Sequence, residues 1–295
     1  MSGLWAGDTR CVVVLGFDID GQAGAIYGFP ETADLPGTMS QREYGPAVGT
    51  ARILDLLARY GLRSTFFIPA FVAETHERMV RDIVDRGHEV GHHGYMHEPP
   101  ASLTRDQEAR MLDRSLAVLE RLTGTAPKGY RSPLWDLSPH SIDLLIERGF
   151  VYDSSLFGDD APYWLEPGSG SESGSGKIVE IPVHWELDDY PFFEFSPAMG
   201  VMPVAASPDQ VFQVWSAAFD GLYRLKRTFV LAMHPFVIGR PGRLRMLERL
   251  IRYMKGFPGV QFATCEELAG MVGSDFRTVN QTTVDLPGDW DLRAT

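Results

Sequence analysis

The chain has 295 residues, of which 44% are hydrophobic and 11% aromatic, so it is long enough to bury a substantial core and is not an intrinsically disordered protein. Its formal net charge of -12 and its pI near 5.1 disfavour nucleic acid and anionic membranes as partners, because both are bound through basic patches. A small or neutral substrate is favoured instead.

Targeting signals are missing from the start of this sequence. The first ten residues carry no basic segment followed by an apolar run, and no stretch reaches the roughly 20 apolar residues of a membrane span. We therefore expect a cytoplasmic protein. Cys11 opens the first predicted strand and Cys265 follows the last, so parallel strands would hold the two cysteines at opposite ends, which predicts free thiols.

Short apolar runs alternate with amphipathic patterns along the chain, which predicts repeated (β/α) units. The predicted strands cover residues 11–17, 64–68, 88–93, 128–131, 150–153, 179–184, 229–233 and 260–263. The predicted helices cover residues 44–60, 73–86, 104–123, 139–148, 208–226 and 240–255. The fold class is α/β, and the favoured architecture is a distorted (β/α)7-8 barrel with its site at the carboxyl ends of the strands, with a doubly wound open sheet as the alternative.

Two helix starts carry their own signals. Ser138 stands where the cap of a helix beginning at Pro139 belongs, and Thr104 with Gln107 forms a capping box. We expect residues 1–272 to form a single domain with a flexible glycine-serine loop at 168–176. Residues 273–295 are polar and are expected to form a C-terminal arm or tail.

The segment from His88 to Glu98 holds four of the eight histidines of the chain. Its first half matches H-E-x-x-H, in which a helix places two histidines on one face of a zinc site. A glycine cap at Gly87 ends the preceding helix, so His88 to His92 instead begin a strand, and alternation sends His92 and His93 to opposite faces. His93 and His97 can then reach a common metal ion from a strand end and the loop after it.

Polar side chains follow other predicted strands. Asp18 and Asp20 come directly after an apolar strand, where two carboxylates need a cation or a proton between them, and this suggests one metal ligand and one base. Arg131 follows another strand and could pair with one of these aspartates. His234 ends the seventh strand and is a candidate proton donor. Agreement among several strand ends favours a functional site over separate structural roles.

Taken together, these motifs resemble polysaccharide deacetylases, which form carbohydrate esterase family four. The resemblance covers roughly residues 10 to 270 and is closest to the branch of peptidoglycan-deacetylase-like and allantoinase-like proteins. It rests on Phe17-Asp18-Ile19-Asp20, His93-Gly94-Tyr95-Met96-His97, Arg131-Ser132-Pro133-Leu134-Trp135, Tyr152-Asp153-Ser154-Ser155 and His234-Pro235.

The resemblance implies an assignment for each matching position. Asp20, His93 and His97 would bind a divalent metal, usually zinc in this family, and the fold would be a distorted (β/α) barrel. Asp18 would be the general base, held by Arg131, and His234 the general acid. The substrate-binding residues would be Leu134, Trp135 and Tyr95. Homo-oligomers, possible tetramers among them, are the assembly that this branch implies.

The implied reaction is metal-assisted hydrolysis of a non-peptide C–N bond, removing N-acetyl groups from an amino sugar or a related amide. Two departures limit the substrate: Ile19 separates two carboxylates that are usually adjacent, and Leu134 stands where an aromatic is usual. The alternatives are hydrolysis of a cyclic amide or imide on the same scaffold, as in allantoinase-like proteins, and a non-catalytic carbohydrate-binding barrel.

Overall fold

The computed structural model describes residues 4–168, 176–202 and 206–280, and within them a curled, mostly parallel sheet is surrounded by helices. The strands are β1 (Cys11–Asp18), β2 (Thr65–Ile68), β3 (Glu89–His92), β4 (Gly129–Tyr130), β5 (Tyr152–Asp153), β6 (Tyr163–Glu166), β7 (Ile178–Glu180), β8 (Thr228–Met233), β9 (Val260–Ala263) and β10 (Thr278–Asn280). The helices are α1 (Ala23–Gly28), α2 (Pro36–Tyr44), α3 (Thr50–Tyr60), α4 (Ala70–Thr75), α5 (Glu77–Asp85), α6 (Arg105–Thr123), α7 (Ser141–Glu147), α8 (Tyr190–Phe193), α9 (Pro208–Leu225), α10 (Pro235–Ile238), α11 (Pro241–Lys255) and α12 (Cys265–Ala269).

The order of the strands confirms the distorted barrel rather than the doubly wound sheet. Strands β1 to β5 lie side by side in chain order, β7 follows β5, and β8 lies on the other side of β1 with β9 also paired to β1. A doubly wound sheet would reverse this order at a switch point. The sheet curls until Asp188, beyond β7, forms a parallel bridge with Ala232 of β8.

Strand β1 shows how alternation positions the site. Val13 and Leu15 pack into the core shared with the helices, while Val12 and Val14 belong to the core inside the barrel. Asp18 and Asp20 share the parity of Val12 and Val14, so both carboxylates are directed to the barrel interior. The spacing of one residue between the two aspartates is therefore what places them on the same side.

Strand β3 separates the histidines of the H-E-x-x-H match, as expected. Val90 and His92 face the outer layers of the core, whereas Gly91 faces the barrel interior, where a Cβ atom would come within 2.5 Å of the Phe67 ring. His93 follows on the same side as Gly91. No helix runs through this segment, so the protease-type arrangement does not form.

Several predicted boundaries change in the structure. The capping box of Thr104 and Gln107 is confirmed, but α7 begins at Ser141 rather than at Pro139; the Ser138 hydroxyl accepts a hydrogen bond from the backbone N–H of His140 in the turn before the helix. The bounds predicted for the helix over 44–60 are also wrong. The helical segment there begins earlier, at Pro36, and consists of α2, a π-helical turn at Gly45–Gly49, and α3.

The sheet contains two strands that the sequence pattern did not predict. β6 runs antiparallel to β7, and β10 pairs with β6, so the first part of the predicted C-terminal arm joins the sheet. Residues 169–175 of the predicted loop and 281–295 of the predicted arm lie outside the described residues. Both cysteines are buried free thiols, as predicted. Across the described ranges, no helix combines the length and the apolar character needed to cross a bilayer.

Candidate metal centre and catalytic site

Three of the predicted ligands converge at the mouth of the barrel. Asp20 Oδ1 lies 3.4 Å from His93 Nε2 and 3.6 Å from His97 Nε2, and the three candidate ligand atoms all lie within 4.8 Å of one another. Asp20 Oδ1 is buried and has no hydrogen-bond partner among the described residues. A buried carboxylate oxygen without a partner is costly unless a cation meets it. The donor set, two imidazoles and one carboxylate, is that of a catalytic divalent-metal site with open positions.

Hydrogen bonding directs the correct nitrogen of His93 toward this centre. Its Nδ1 lies 2.7 Å from the carbonyl oxygen of Arg131, and a carbonyl can only accept, so Nδ1 carries the proton. The lone pair of the neutral ring is then on Nε2, which faces Asp20. Such a carbonyl partner is the usual support of a metal-binding histidine.

The electrostatics keep Asp20 and His97 in the forms that bind metal. Burial alone would raise the pKa of Asp20, but the neighbouring imidazoles of His97, His234 and His93 bring it below its ordinary value. Burial lowers the pKa of His97 to about 4, against the opposing attraction of Asp20. At neutral pH the site therefore offers a carboxylate and a neutral imidazole, which is the protonation state that coordination requires.

Asp18 is held by a fully buried arginine. Arg131 Nη1 donates to Asp18 Oδ1 at 2.8 Å, while its Nε and Nη2 donate to the carbonyl oxygen and hydroxyl of Ser154. The guanidinium also lies 4.2 Å from the centroid of the Phe67 ring. Gly16 makes room for it, since a Cβ atom there would come within 2.9 Å of Nη1. The carboxylate of Asp18 is thus fixed at the edge of the cavity.

His234 is held in the same way by an aspartate. Its Nδ1 lies 2.7 Å from Asp189 Oδ1, and its backbone N–H donates to both oxygens of that carboxylate at 3.0 Å. Its Nε2 faces Asp20 Oδ2 at 3.6 Å. Burial opposes the charged form, but Asp20, the hydrogen bond that the ring donates to Asp189, and Asp188 raise the pKa of His234 well above its ordinary value. A protonated Nε2 can therefore point into the cavity.

These side chains open into a cavity of about 750 Å³. One wall is aromatic: the rings of Trp135 and Trp185 stack with centroids 4.5 Å apart. Three residues around the cavity adopt left-handed backbone conformations that are costly for residues other than glycine, namely His97 (φ 63°), Leu134 (φ 61°) and Trp135 (φ 55°). Such strain persists only where surrounding contacts hold it, and here it aims three side chains at one space.

Not every predicted site residue reaches the cavity. Leu134 and Trp135 line it, and Leu134 is 61% exposed. Tyr95 does not line it: its hydroxyl donates to Glu74 and accepts from Arg114, so its predicted contact with substrate is not supported by its position. Asp153, from the fourth matching motif, is buried behind the site and accepts a hydrogen bond from Ser155.

Four cavity or supporting residues were not predicted from the sequence. Asp189, Trp185, Tyr190 and Arg42 come from the segment after β7 and from α2. The adjacent pair Asp188-Asp189 after a predicted strand was a signal of the same kind as the aspartates after β1. Its partner was not predictable, because the pairing with His234 depends on the bridge that closes the barrel.

A curled (β/α) barrel whose strand ends carry a two-histidine, one-carboxylate centre beside a held carboxylate and a held imidazole defines a hydrolase of C–N bonds other than peptide bonds. Comparison with known proteins agrees. The family model described as polysaccharide deacetylase matches residues 43–152. A peptidoglycan deacetylase of Helicobacter pylori is 36% identical over 285 residues, covering 88% of this chain and 94% of that protein. The chain therefore belongs to the polysaccharide deacetylase family.

Solved structures support the same assignment. A candidate polysaccharide deacetylase from Mycobacterium smegmatis superimposes with a TM-score of 0.90 at 34% identity, covering 96% of this chain and 97% of that one. The structure of Puue allantoinase superimposes with a TM-score of 0.79 at 26% identity, covering 92% of this chain and 93% of that one. Both comparisons confirm the predicted family and its barrel.

Proposed function

We propose that this chain is a zinc-dependent deacetylase that removes N-acetyl groups from an amino sugar or a closely related amide. The single observation that carries the proposal is the convergence of His93 and His97 on the buried Oδ1 of Asp20, which has no hydrogen-bond partner among the described residues. The relative from Helicobacter pylori, a peptidoglycan deacetylase, supports a glycan substrate.

The metal would be held by Asp20, His93 and His97, and when bound it would lower the pKa of a water molecule and polarise the amide carbonyl. Asp18 would accept the proton of the attacking water, and Arg131 holds its carboxylate at the cavity edge. The backbone N–H of Leu134, at the left-handed turn, is our candidate donor to the oxygen that becomes negatively charged.

His234 is placed to protonate the departing nitrogen. Its Nδ1 is occupied by Asp189, so the proton that it can release is the one on Nε2, on the side of the metal centre. An amine is a poor leaving group without a proton, so a donor at this position completes the hydrolysis. Asp18 and His234 thereby act as a base and an acid held by two different buried partners.

Hydrolysis of a small cyclic amide or imide is the second candidate. It is favoured by the likeness to Puue allantoinase and by Leu134, which leaves the outer wall less aromatic than a long sugar chain would need. The cavity volume suits a compact ligand.

Metal analysis of freshly purified protein, followed by chelation and refilling with zinc, tests the proposal. We expect acetate release from N-acetylglucosamine oligomers that is lost on chelation and restored by zinc. Hydantoin and succinimide are assayed beside them, and ring opening without acetate release would assign the second candidate. Full activity in metal-free protein would contradict the metal-dependent mechanism for either substrate.

A further inference from the structure

One wall of the cavity carries a buried cation that the proposed mechanism does not use. Arg42, on α2, lines the cavity together with Tyr190 and Met199 and is only 3% exposed. The Tyr190 ring adjoins both Arg42 and the proposed acid: its centroid is 5.9 Å from Arg42 Cζ and 5.4 Å from the ring of His234. The guanidinium and one of the reacting groups therefore share an aromatic neighbour.

The hydrogen bonds of Arg42 are incomplete. Nη2 donates to Glu194 Oε1 at 2.7 Å and to Met199 Sδ at 3.2 Å, and the guanidinium also hydrogen-bonds with Tyr190. The Nε of Arg42 is buried and has no partner among the described residues. A buried N–H without an acceptor costs free energy, and a purely structural arginine normally satisfies both sides of its fork, as Arg131 does.

Glu194 is held from a second side, by Gln41. The Nε2 of Gln41 donates to the two carboxylate oxygens of Glu194 at 3.2 and 3.3 Å, and both residues line a separate surface cleft, whereas Arg42 lines the cavity. The ring of Phe236 lies 4.3 Å from Arg42 Cζ. The pair is thus fixed by its surroundings, and the guanidinium is prepared to meet a ligand.

We propose that Arg42 is a specificity-determining residue that donates a hydrogen bond to a second, uncharged oxygen of the substrate, several bonds away from the amide that is cleaved. This inference rests on the proposed function, because the metal centre must hold the scissile amide for the second oxygen to reach Arg42. It restricts the substrate to compact amides that carry a further carbonyl or similar acceptor.

An uncharged oxygen is favoured over a carboxylate for an electrostatic reason. Glu194 already compensates the charge of Arg42 at 2.7 Å. An anionic acceptor would therefore meet no uncompensated positive charge at Arg42 and would be repelled by the Glu194 carboxylate beside it. A neutral acceptor gains the hydrogen bond without that repulsion.

Matched hydroxamates test the inference by binding, without turnover. The probes are the monohydroxamates of malonamide, succinamide and glutaramide, their isosteres with isopropyl in place of the terminal amide, and their terminal carboxylate counterparts. Acetohydroxamate reports on the metal centre alone. Affinities are measured by calorimetry on zinc-loaded, full-length protein and on the variants Arg42→Met, Arg42→Lys and Gln41→Met.

At the best spacer length we expect wild type to bind the amide probe roughly 10-fold or more tightly than the isopropyl and carboxylate probes, as for a hydrogen bond from a charged donor. Arg42→Met should reduce this preference to about 2-fold or less, with acetohydroxamate affinity unchanged, and Arg42→Lys should retain part of it. Gln41 contacts Glu194 from the surface cleft, so Gln41→Met should retain the full preference for the amide probe. If Arg42→Met does not fold, Arg42→Lys decides.

The outcomes separate the two proposals. Metal-dependent acetohydroxamate binding with no amide preference at any spacer length would overturn the role of Arg42 and leave the proposed function intact. An Arg42-dependent preference for the carboxylate probe would overturn the uncharged acceptor. Acetohydroxamate binding that is independent of zinc would count against the proposed metal centre itself.

Discussion

The mouth of the barrel and the outer side of its sheet both bury carboxylates, but Asp20 at the mouth and a pair of carboxylates on the outer side have opposite pKa shifts. At the mouth, Asp20 is surrounded by imidazoles, and its pKa lies below the ordinary value although burial opposes this. On the outer side of the sheet, Asp153 and Glu180 are neighbours in the register of β5 and β7. Burial raises the pKa of Asp153 to about 6, and burial and Asp153 together raise that of Glu180 well above its ordinary value.

The histidines show the same division. His93 and His97 face Asp20 at the mouth, whereas His92 packs against Tyr130 and Phe150, and burial lowers the pKa of His92 to about 3. The two regions teach that a cluster of charged residue types is not by itself a site. What distinguishes the mouth is that a carboxylate and imidazoles converge beside a cavity.

The largest effect should come from replacing a histidine at the mouth, compared with replacing its neighbour on the outer face of β3. We expect His93→Ala to lose the bound metal and to lower kcat/KM on the order of 10³-fold or more, because the metal supplies several kcal/mol of transition-state stabilisation. His92→Ala should keep the metal and most of the activity. It should instead lower the free energy of unfolding by about 2–3 kcal/mol, since it empties a packed site.

Metal content, activity and denaturant unfolding of both variants measure this contrast. Loss of metal in His92→Ala with retention in His93→Ala would reverse the assignment of the two faces of β3.

The second effect concerns the proposed base. Asp18→Asn keeps the shape of the side chain but cannot accept the proton, so we expect kcat to fall roughly 10²- to 10⁴-fold with zinc still bound. It also removes the ion-pair partner of the buried Arg131, so the melting temperature should fall. Turnover is measured well below that temperature and under saturating zinc. Unchanged turnover would point to another base or to a non-catalytic barrel.

A smaller effect is expected from the support of His234. Asp189 raises the pKa of His234, and a metal ion bound to Asp20 would cancel much of the attraction from that carboxylate, leaving Asp189 as the main support. A proposed acid is active while protonated, so activity is lost as pH rises through its pKa. In Asp189→Asn we expect the alkaline limb of the kcat profile to move to lower pH, with a fall in kcat.

The pH profiles of wild type and Asp189→Asn provide the measurement, with Asp189→Glu as the variant that keeps the charge. An alkaline limb at the same pH in all three proteins would show that His234 does not set it.

The smallest effect is expected from a substitution in the buried pair on the outer side of the sheet, Asp153 and Glu180. The native state keeps a proton on this pair above the ordinary carboxyl pKa, so native stability should decrease as pH rises from about 4.5 toward the raised pKa values. Glu180→Gln removes one ionisable group. We therefore expect its unfolding free energy to vary less with pH over this range, gaining relative to wild type toward alkaline pH.

Urea unfolding between pH 5 and pH 9 tests this, with Glu186→Gln, a surface change six residues after Glu180, as the control. A steeper dependence on pH in Glu180→Gln than in wild type would contradict the shared proton.

Local pattern predicted the parts of this protein that depend on alternation and helical period. The parity of Asp18 and Asp20 along β1, and the change of face between His92 and His93, follow from the two-residue period of a strand. The chain order of the parallel strands follows from repeated (β/α) units, and the carboxyl ends of such strands meet at one edge. Hence the barrel and the residues Asp20, His93 and His97 could be proposed together.

Only the tertiary structure decided which side chains meet across the barrel. Asp189 reaches His234 because the segment after β7 bridges to β8, and Tyr95 points away because its hydroxyl binds Glu74 on α4. Arg42 enters the cavity from a helix predicted to begin two residues after it. Periodicity specifies the face on which a residue lies, whereas the distance between residues from remote elements is set by how the sheet curls and closes.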